Sequence, residues 1–79
     1  MIEVRVKLTF PEEMVRQPVI ARLARDHGVE PNIRRANVGD HEGWIVCELG
    51  GEPAKVEAAL DWLRSEGVRV DLLGDLVES

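Results

Sequence analysis

Hydrophobic and polar residues alternate without a break from Ile2 to Phe10. Ile2, Val4, Val6, Leu8 and Phe10 fall on one side of an extended chain, and Glu3, Arg5, Lys7 and Thr9 on the other. A period of two predicts a half-buried strand, because successive side chains of a strand point to opposite faces. Pro11 ends the run. Beyond it the period lengthens. Pro18 suits the first turn of a helix, where a missing N–H costs nothing, Ile20, Leu23, Ala24 and His27 recur at helical spacing, and Gly28 suits the cap. From Asn32 to Val38 the chain reads as extended and rich in polar residues. Gly39-Asp40-His41-Glu42-Gly43 predicts a turn and Trp44 to Leu49 a returning strand, which together make a hairpin closed by Gly50-Gly51. A second helix is predicted from Pro53, with Val56, Ala59, Leu60 and Leu63 on one face and Gly67 at its end. Val68, Val70 and Leu72 then alternate with Arg69 and Asp71 in a last strand, followed by a short tail.

The order strand, helix, strand, strand, helix, strand predicts an α+β, ferredoxin-like βαββαβ fold: a four-stranded antiparallel sheet with two helices on one face. The other face is left uncovered. With the simplest register it carries Arg5, Lys7, Arg35, Asn37, Trp44, Val46, Glu48, Arg69 and Asp71. No internal repeat or low-complexity segment interrupts the pattern, so residues 1–79 are expected to form a single domain. A chain of this length buries only about 60% of its extended surface, a shortfall that a second copy would relieve. Trp44 and Val46, apolar and central on the uncovered face, are candidates for an interface.

Charge and side-chain chemistry narrow the functions. Fifteen acidic and ten basic residues leave a net charge of −5, which repels phosphate backbones unless the cations gather on one face. RNA-binding sheets of this topology also need stacked aromatics, and only Trp44 is placed to serve, so nucleic acid is not expected as a partner. The chain has one cysteine, Cys47, which excludes an internal disulfide and an iron–sulfur cluster held by one chain. It lies in phase with Ile45 and Leu49 and is expected to face the helices as a small core residue. A reducing, cytoplasmic setting fits. The start of the chain alternates and no eighteen apolar residues run together, so neither a signal peptide nor direct membrane insertion is expected.

Nucleophilic catalysis needs a hydroxyl or thiol with a base and an orienting group, and Thr9, Ser65, Ser79 and Cys47 have no such partners in the pattern. The expectation is a protein without catalytic residues or cofactor. His27, one residue before the Gly28 cap, suits a structural role at the negative end of a helix. His41 stands between Asp40 and Glu42 without a second histidine or cysteine nearby, so no metal site is expected. Glu12 and Glu13 read as solvated charge ahead of the first helix. An acylphosphatase-like enzyme on this topology would need a glycine-rich anion loop after the first strand, where this chain has Pro11-Glu12-Glu13.

The stretch Pro31 to Val38, PNIRRANV, taken with Gln17-Pro18-Val19-Ile20-Ala21-Arg22-Leu23-Ala24, resembles the NIL domain family. The resemblance extends over nearly the whole chain. It includes Val6-Lys7-Leu8-Thr9-Phe10, Asn32-Ile33 with Ala36, Gly43, Glu48-Leu49-Gly50-Gly51, Ala59-Leu60-Trp62-Leu63, and Gly67-Val68-Val70-Leu72-Leu73-Gly74. That family is found at the C-terminus of methionine-importer ATPases, beside some ferredoxin modules and as free-standing small proteins. The resemblance implies an ACT-like fold that dimerises and, in the transporter members, binds methionine near the dimer interface to inhibit import. By position it implies a ligand site at Asn32 and Ile33, with Pro18 and Val19 lining the adjacent helix start. A helix N-terminus offers N–H groups to an α-carboxylate, and an Asn amide both donates and accepts. Ile33 and Val19 would supply part of an apolar slot for a thioether.

Arg34 departs from the aliphatic third residue that gives the family its name, and Arg35 follows it. Three readings stay open: Arg34 abolishes the apolar slot, its guanidinium binds a ligand carboxylate instead, or it is an edge charge that discourages aggregation. No ATPase domain accompanies the module in these residues, so any ligand effect is expected to pass to a protein partner. The leading expectation is thus a non-enzymatic regulatory module, homodimeric, that senses methionine or a related amino acid or sulfur metabolite through Pro18, Val19, Asn32, Ile33 and Arg34. The alternative is a ligand-free interaction subunit docking onto an enzyme or ferredoxin of sulfur or amino-acid metabolism.

Overall fold

The computed structural model describes residues 1–14, 17–39 and 41–73. Strand β1 (Ile2–Phe10) alternates as its pattern requires, and a short 3-10 turn (Glu12–Met14) leads towards helix α1 (Val19–His27). Strands β2 (Glu30–Val38) and β3 (Gly43–Gly51) form the hairpin, followed by helix α2 (Pro53–Ser65) and strand β4 (Arg69–Leu72). The sheet order is β2-β3-β1-β4 with every neighbouring pair antiparallel, the ferredoxin-like arrangement. Asp40 of the predicted turn, and Gly74 and the tail, lie outside the described residues.

Both helices cover the same face. Val6, Leu8 and Phe10 of β1 and Cys47 and Leu49 of β3 pack against Val19 and Leu23 of α1 and Val56, Ala59, Leu60 and Leu63 of α2, with Val29 and Val68 closing the ends. Burying each Val or Leu side chain contributes about 1.5–3 kcal/mol, so this cluster is the main source of stability in so short a chain. The α2 stripe is the predicted one. In α1 the buried line runs through Val19 and Leu23, Ile20 is only partly buried, and Ala24 is exposed. Pro18 occupies the cap rather than the first turn, so Val19 opens the helix, and at 100° per residue Ala24 falls outside the stripe centred on Leu23.

Local chemistry fixes the ends of the helices. Gly28 caps α1 in the left-handed region at φ 66°, which a Cβ would disfavour. Pro53 sits in the first turn of α2, and at its other end Val68 N–H donates to Leu63 O (3.0 Å) and Gly67 N–H to Arg64 O (3.1 Å), with Gly67 at φ 91°. Val68 therefore belongs to the cap and β4 begins at Arg69. Gly50 and Gly51, read from sequence as the close of the hairpin, continue β3 instead: β1 runs far enough to pair Glu3 with Gly50 and Ile2 with Gly51. β2 likewise starts at Glu30, and its Pro31 is tolerated because β2 is an edge strand.

Candidate functional site

Among the described residues β2 pairs only with β3, and it is exposed over most of its length. Asn32 lies opposite Glu48 and Ile33 opposite Cys47, but the next pair is Arg35 with Val46, so Arg34 is an extra residue in a β-bulge. The bulge resets the alternation. Asn32, Arg35 and Asn37 share the open face with Glu48, Val46 and Trp44, whereas Pro31, Ile33, Ala36 and Val38 lie on the helix side. The helices cover this side of β2 only in part. Ile33 is 53% and Val38 62% exposed, an apolar stripe beside an unpaired strand edge.

On the open face, Glu48 is gripped from both sides. Arg5 donates to its Oε2 through Nη2 (2.8 Å) and Nε (3.3 Å), and Arg34 to its Oε1 through Nη2 (3.0 Å) and Nε (3.3 Å). Hydrogen bonding from Arg5, and then from Arg34, holds the Glu48 carboxyl below the ordinary glutamate range. Trp44 sits beside this cluster with the Lys7 ammonium 5.2 Å from its ring centroid.

A separate apolar slot of about 70 Å³ opens where the N-terminus of α1 meets the far end of the hairpin, lined by Phe10, Met14, Val19, Ile20, Val38 and Ile45, with Gln17 and Gly43 at its edges. Val19 N–H donates to Gln17 O (2.8 Å) and Arg22 N–H to Pro18 O (3.0 Å), which fixes the entry of the helix. Within one chain the predicted residues therefore form two groups. Pro18 and Val19 stand at this slot, and Val19 lines it. Arg34 lies at the middle of β2 and Asn32 and Ile33 beyond it, about 13–20 Å along the strand from Val38. Asn32 and Ile33 also point to opposite faces, and Arg34 is engaged with Glu48 on the open one. Met14, Gln17 and Val38 were not singled out by sequence reasoning; they reach the slot from separate elements, and only their apolar or turn positions signalled them.

The remaining candidates have structural roles. Cys47 is fully buried, and burial, reinforced by the nearby Glu48 charge, pushes its thiol up to about 11. His27 packs on Trp62 with ring centroids 4.8 Å apart at the α1–α2 junction. His41 Nδ1 meets Glu12 Oε2 at 2.8 Å on the surface. Among the described residues no group of three His, Cys, Asp or Glu is placed to hold a metal ion, and no helix is long and apolar enough to cross a membrane.

Comparison with known proteins adds a family. The model of the NIL domain matches residues 4–71. The methionine import ATP-binding protein MetN of Cupriavidus metallidurans is 37% identical over 75 residues, a match covering 90% of this chain and 22% of that protein. MetN of Chromohalobacter salexigens is 38% identical over 73 residues, covering 87% and 21%. The chain thus spans about a fifth of the length of these relatives. Among solved structures, the C-terminal domain of an ABC transporter ATP-binding protein from Enterococcus faecalis superimposes with a TM-score of 0.78 at 27% identity, covering 90% of this chain and 83% of that one.

Proposed function

The chain belongs to the NIL domain family, and from that premise we propose that it is a regulatory module that pairs with a second copy and binds methionine or a related amino acid where the two meet. One observation carries the reading. β2 is an uncovered edge strand with an apolar stripe on its helix side, and its last residue, Val38, is a wall of the slot at the start of α1.

Antiparallel pairing of β2 with its own copy, about an axis near Arg34 and Arg35, would extend the sheet and bury Ile33 and Val38 of both molecules. The same pairing sets Ile33 of one copy opposite Ala36 of the other and Pro31 opposite Val38, so on the helix side Pro31 and Ile33 flank the slot that the other copy's Val19 lines. Ile33 and Val19, which a single chain keeps apart, thus meet in one site. The apolar slot then takes the ligand side chain and the start of α1 takes its charged end, with Ile33 of the other copy closing the helix side and Asn32 left on the open face. Like charges meet at the axis, but Glu48 of each copy offsets its own Arg34. In a regulatory role, a ligand bound across the interface favours the paired form over the separated one, and that difference is what a partner protein can read.

Sedimentation velocity combined with calorimetric titration of methionine, homocysteine and cysteine tests this. The expected result is a dimer that binds at least one of the three, with binding weakened at least tenfold by Ile33→Ala and dimer and binding lost together in Val38→Asp. A dimer that takes none of them would favour the ligand-free docking subunit. A monomer at high concentration that gives no heat overturns both the pairing and the site.

A further inference from the structure

We propose that the open face of the sheet carries a second site, for a small doubly charged oxyanion, in which Arg35 is the principal ligand and Arg34 and Arg5 complete the cradle. It lies on the face opposite the amino-acid slot and does not depend on the function proposed above.

The bulge is the origin of the site. In a regular strand, consecutive arginines would project to opposite faces; here Arg34 and Arg35 both stand against Val46, on the same side as Arg5. Together these four residues line a surface depression of about 350 Å³. Glu48 cannot neutralise the whole cluster, because its Oε2 is taken by Arg5 and its Oε1 by Arg34. Arg35 also lines the depression and makes no hydrogen bond or ion pair with another described residue, so its guanidinium donors are left for solvent or a ligand. An oxyanion with two charges relieves the repulsion between adjacent guanidiniums and supplies the bidentate acceptor that a planar fork fits.

Preorganisation strengthens the argument. Glu48 is partly shielded, at 14% side-chain exposure, and its double ion pair holds Arg5 and Arg34 in place before any ligand arrives. Val46 provides an apolar floor beneath them. In a chain of net charge −5, diffuse attraction of anions is weak, so an anion response confined to these residues reports a built site rather than a general basic surface.

The test is nuclear magnetic resonance titration of the whole chain with phosphate, sulfate and succinate at constant ionic strength, with chloride as the balancing ion. Saturable shifts are expected at the Arg34 and Arg35 Nε–H groups and the Val46 amide. Arg35→Gln, which alters an exposed side chain, should weaken binding at least tenfold, while Lys55→Gln leaves it unchanged. Saturation by phosphate and sulfate alone identifies a tetrahedral ligand, and saturation by succinate a dicarboxylate. The proposal is overturned if no anion saturates, if Arg22, Arg25 and Arg64 on the helices shift equally, or if Arg35→Gln binds as the parent does.

Discussion

Ile33 and Cys47 are register partners on adjacent strands and lie on the same side of the sheet, yet Cys47 is 0% exposed and Ile33 is 53% exposed. The strands are equal in length, and both carry apolar residues on the helix side. What separates them is cover. α1 and α2 together span β1 and β3, and among the described residues no third α-helix reaches β2. Among the described residues β2 is therefore held mainly by backbone pairing with β3 and a few edge contacts. The apolar stripe on β2 is unused by the monomer's core, which is why it is the best place to look for a second molecule.

The largest effect that tests this contrast is on stability. Leu49→Ala, in β3, should lose about 3 kcal/mol in urea unfolding, whereas Ile33→Ala should lose less than about 1 kcal/mol at a dilution where any dimer dissociates. Equal losses would mean that β2 is part of the core after all. Chemical reactivity sharpens the same comparison. With its thiol raised to about 11, Cys47 should react with a disulfide reagent about a hundredfold more slowly than an exposed cysteine introduced by Ile33→Cys alongside Cys47→Ala. Comparable rates would show that the helix layer opens readily over β3.

The smallest effect concerns the ion pairs that tie the edge strand to the interior of the sheet. The folded-state pKa of Glu48 is lowered, so the stabilisation from Arg5 and Arg34 is complete above the ordinary glutamate value and is lost as the pH falls through the lowered one. Glu48→Gln should accordingly lower the urea midpoint modestly at pH 7 and leave it unchanged once the pH is below both values. A difference that persists in strong acid would assign the effect to packing rather than charge.

How much of this was legible follows from what each feature depends on. β1 and the buried stripe of α2 were readable because each rests on local periodicity, and the caps at Gly28 and Gly67 because each needs a backbone that glycine adopts freely. The extension of β3 through Gly50 and Gly51 was not readable, since it depends on where β1 ends in space. The placement of Arg34 was hidden for a similar reason. Strict alternation assigns it to the helix side, and only the register of β2 against β3 reveals the extra residue that turns it to the open face. The slot at Val19 escaped because Met14, Val38 and Ile45 are joined by tertiary packing alone. The predicted ligand residues fell into two groups because a linear pattern does not say which molecule each group serves.

The bulge also makes β2 unusually forgiving at one position. Removing Arg34 would leave Glu30 to Ile33 and Arg35 to Val38 matched to their present β3 neighbours, so a one-residue deletion there is silent for the architecture. Loss of a residue elsewhere in the strand would send inward-pointing side chains outward. Length at this point is thus free to vary, exchanging a guanidinium and a kinked border for a straighter one.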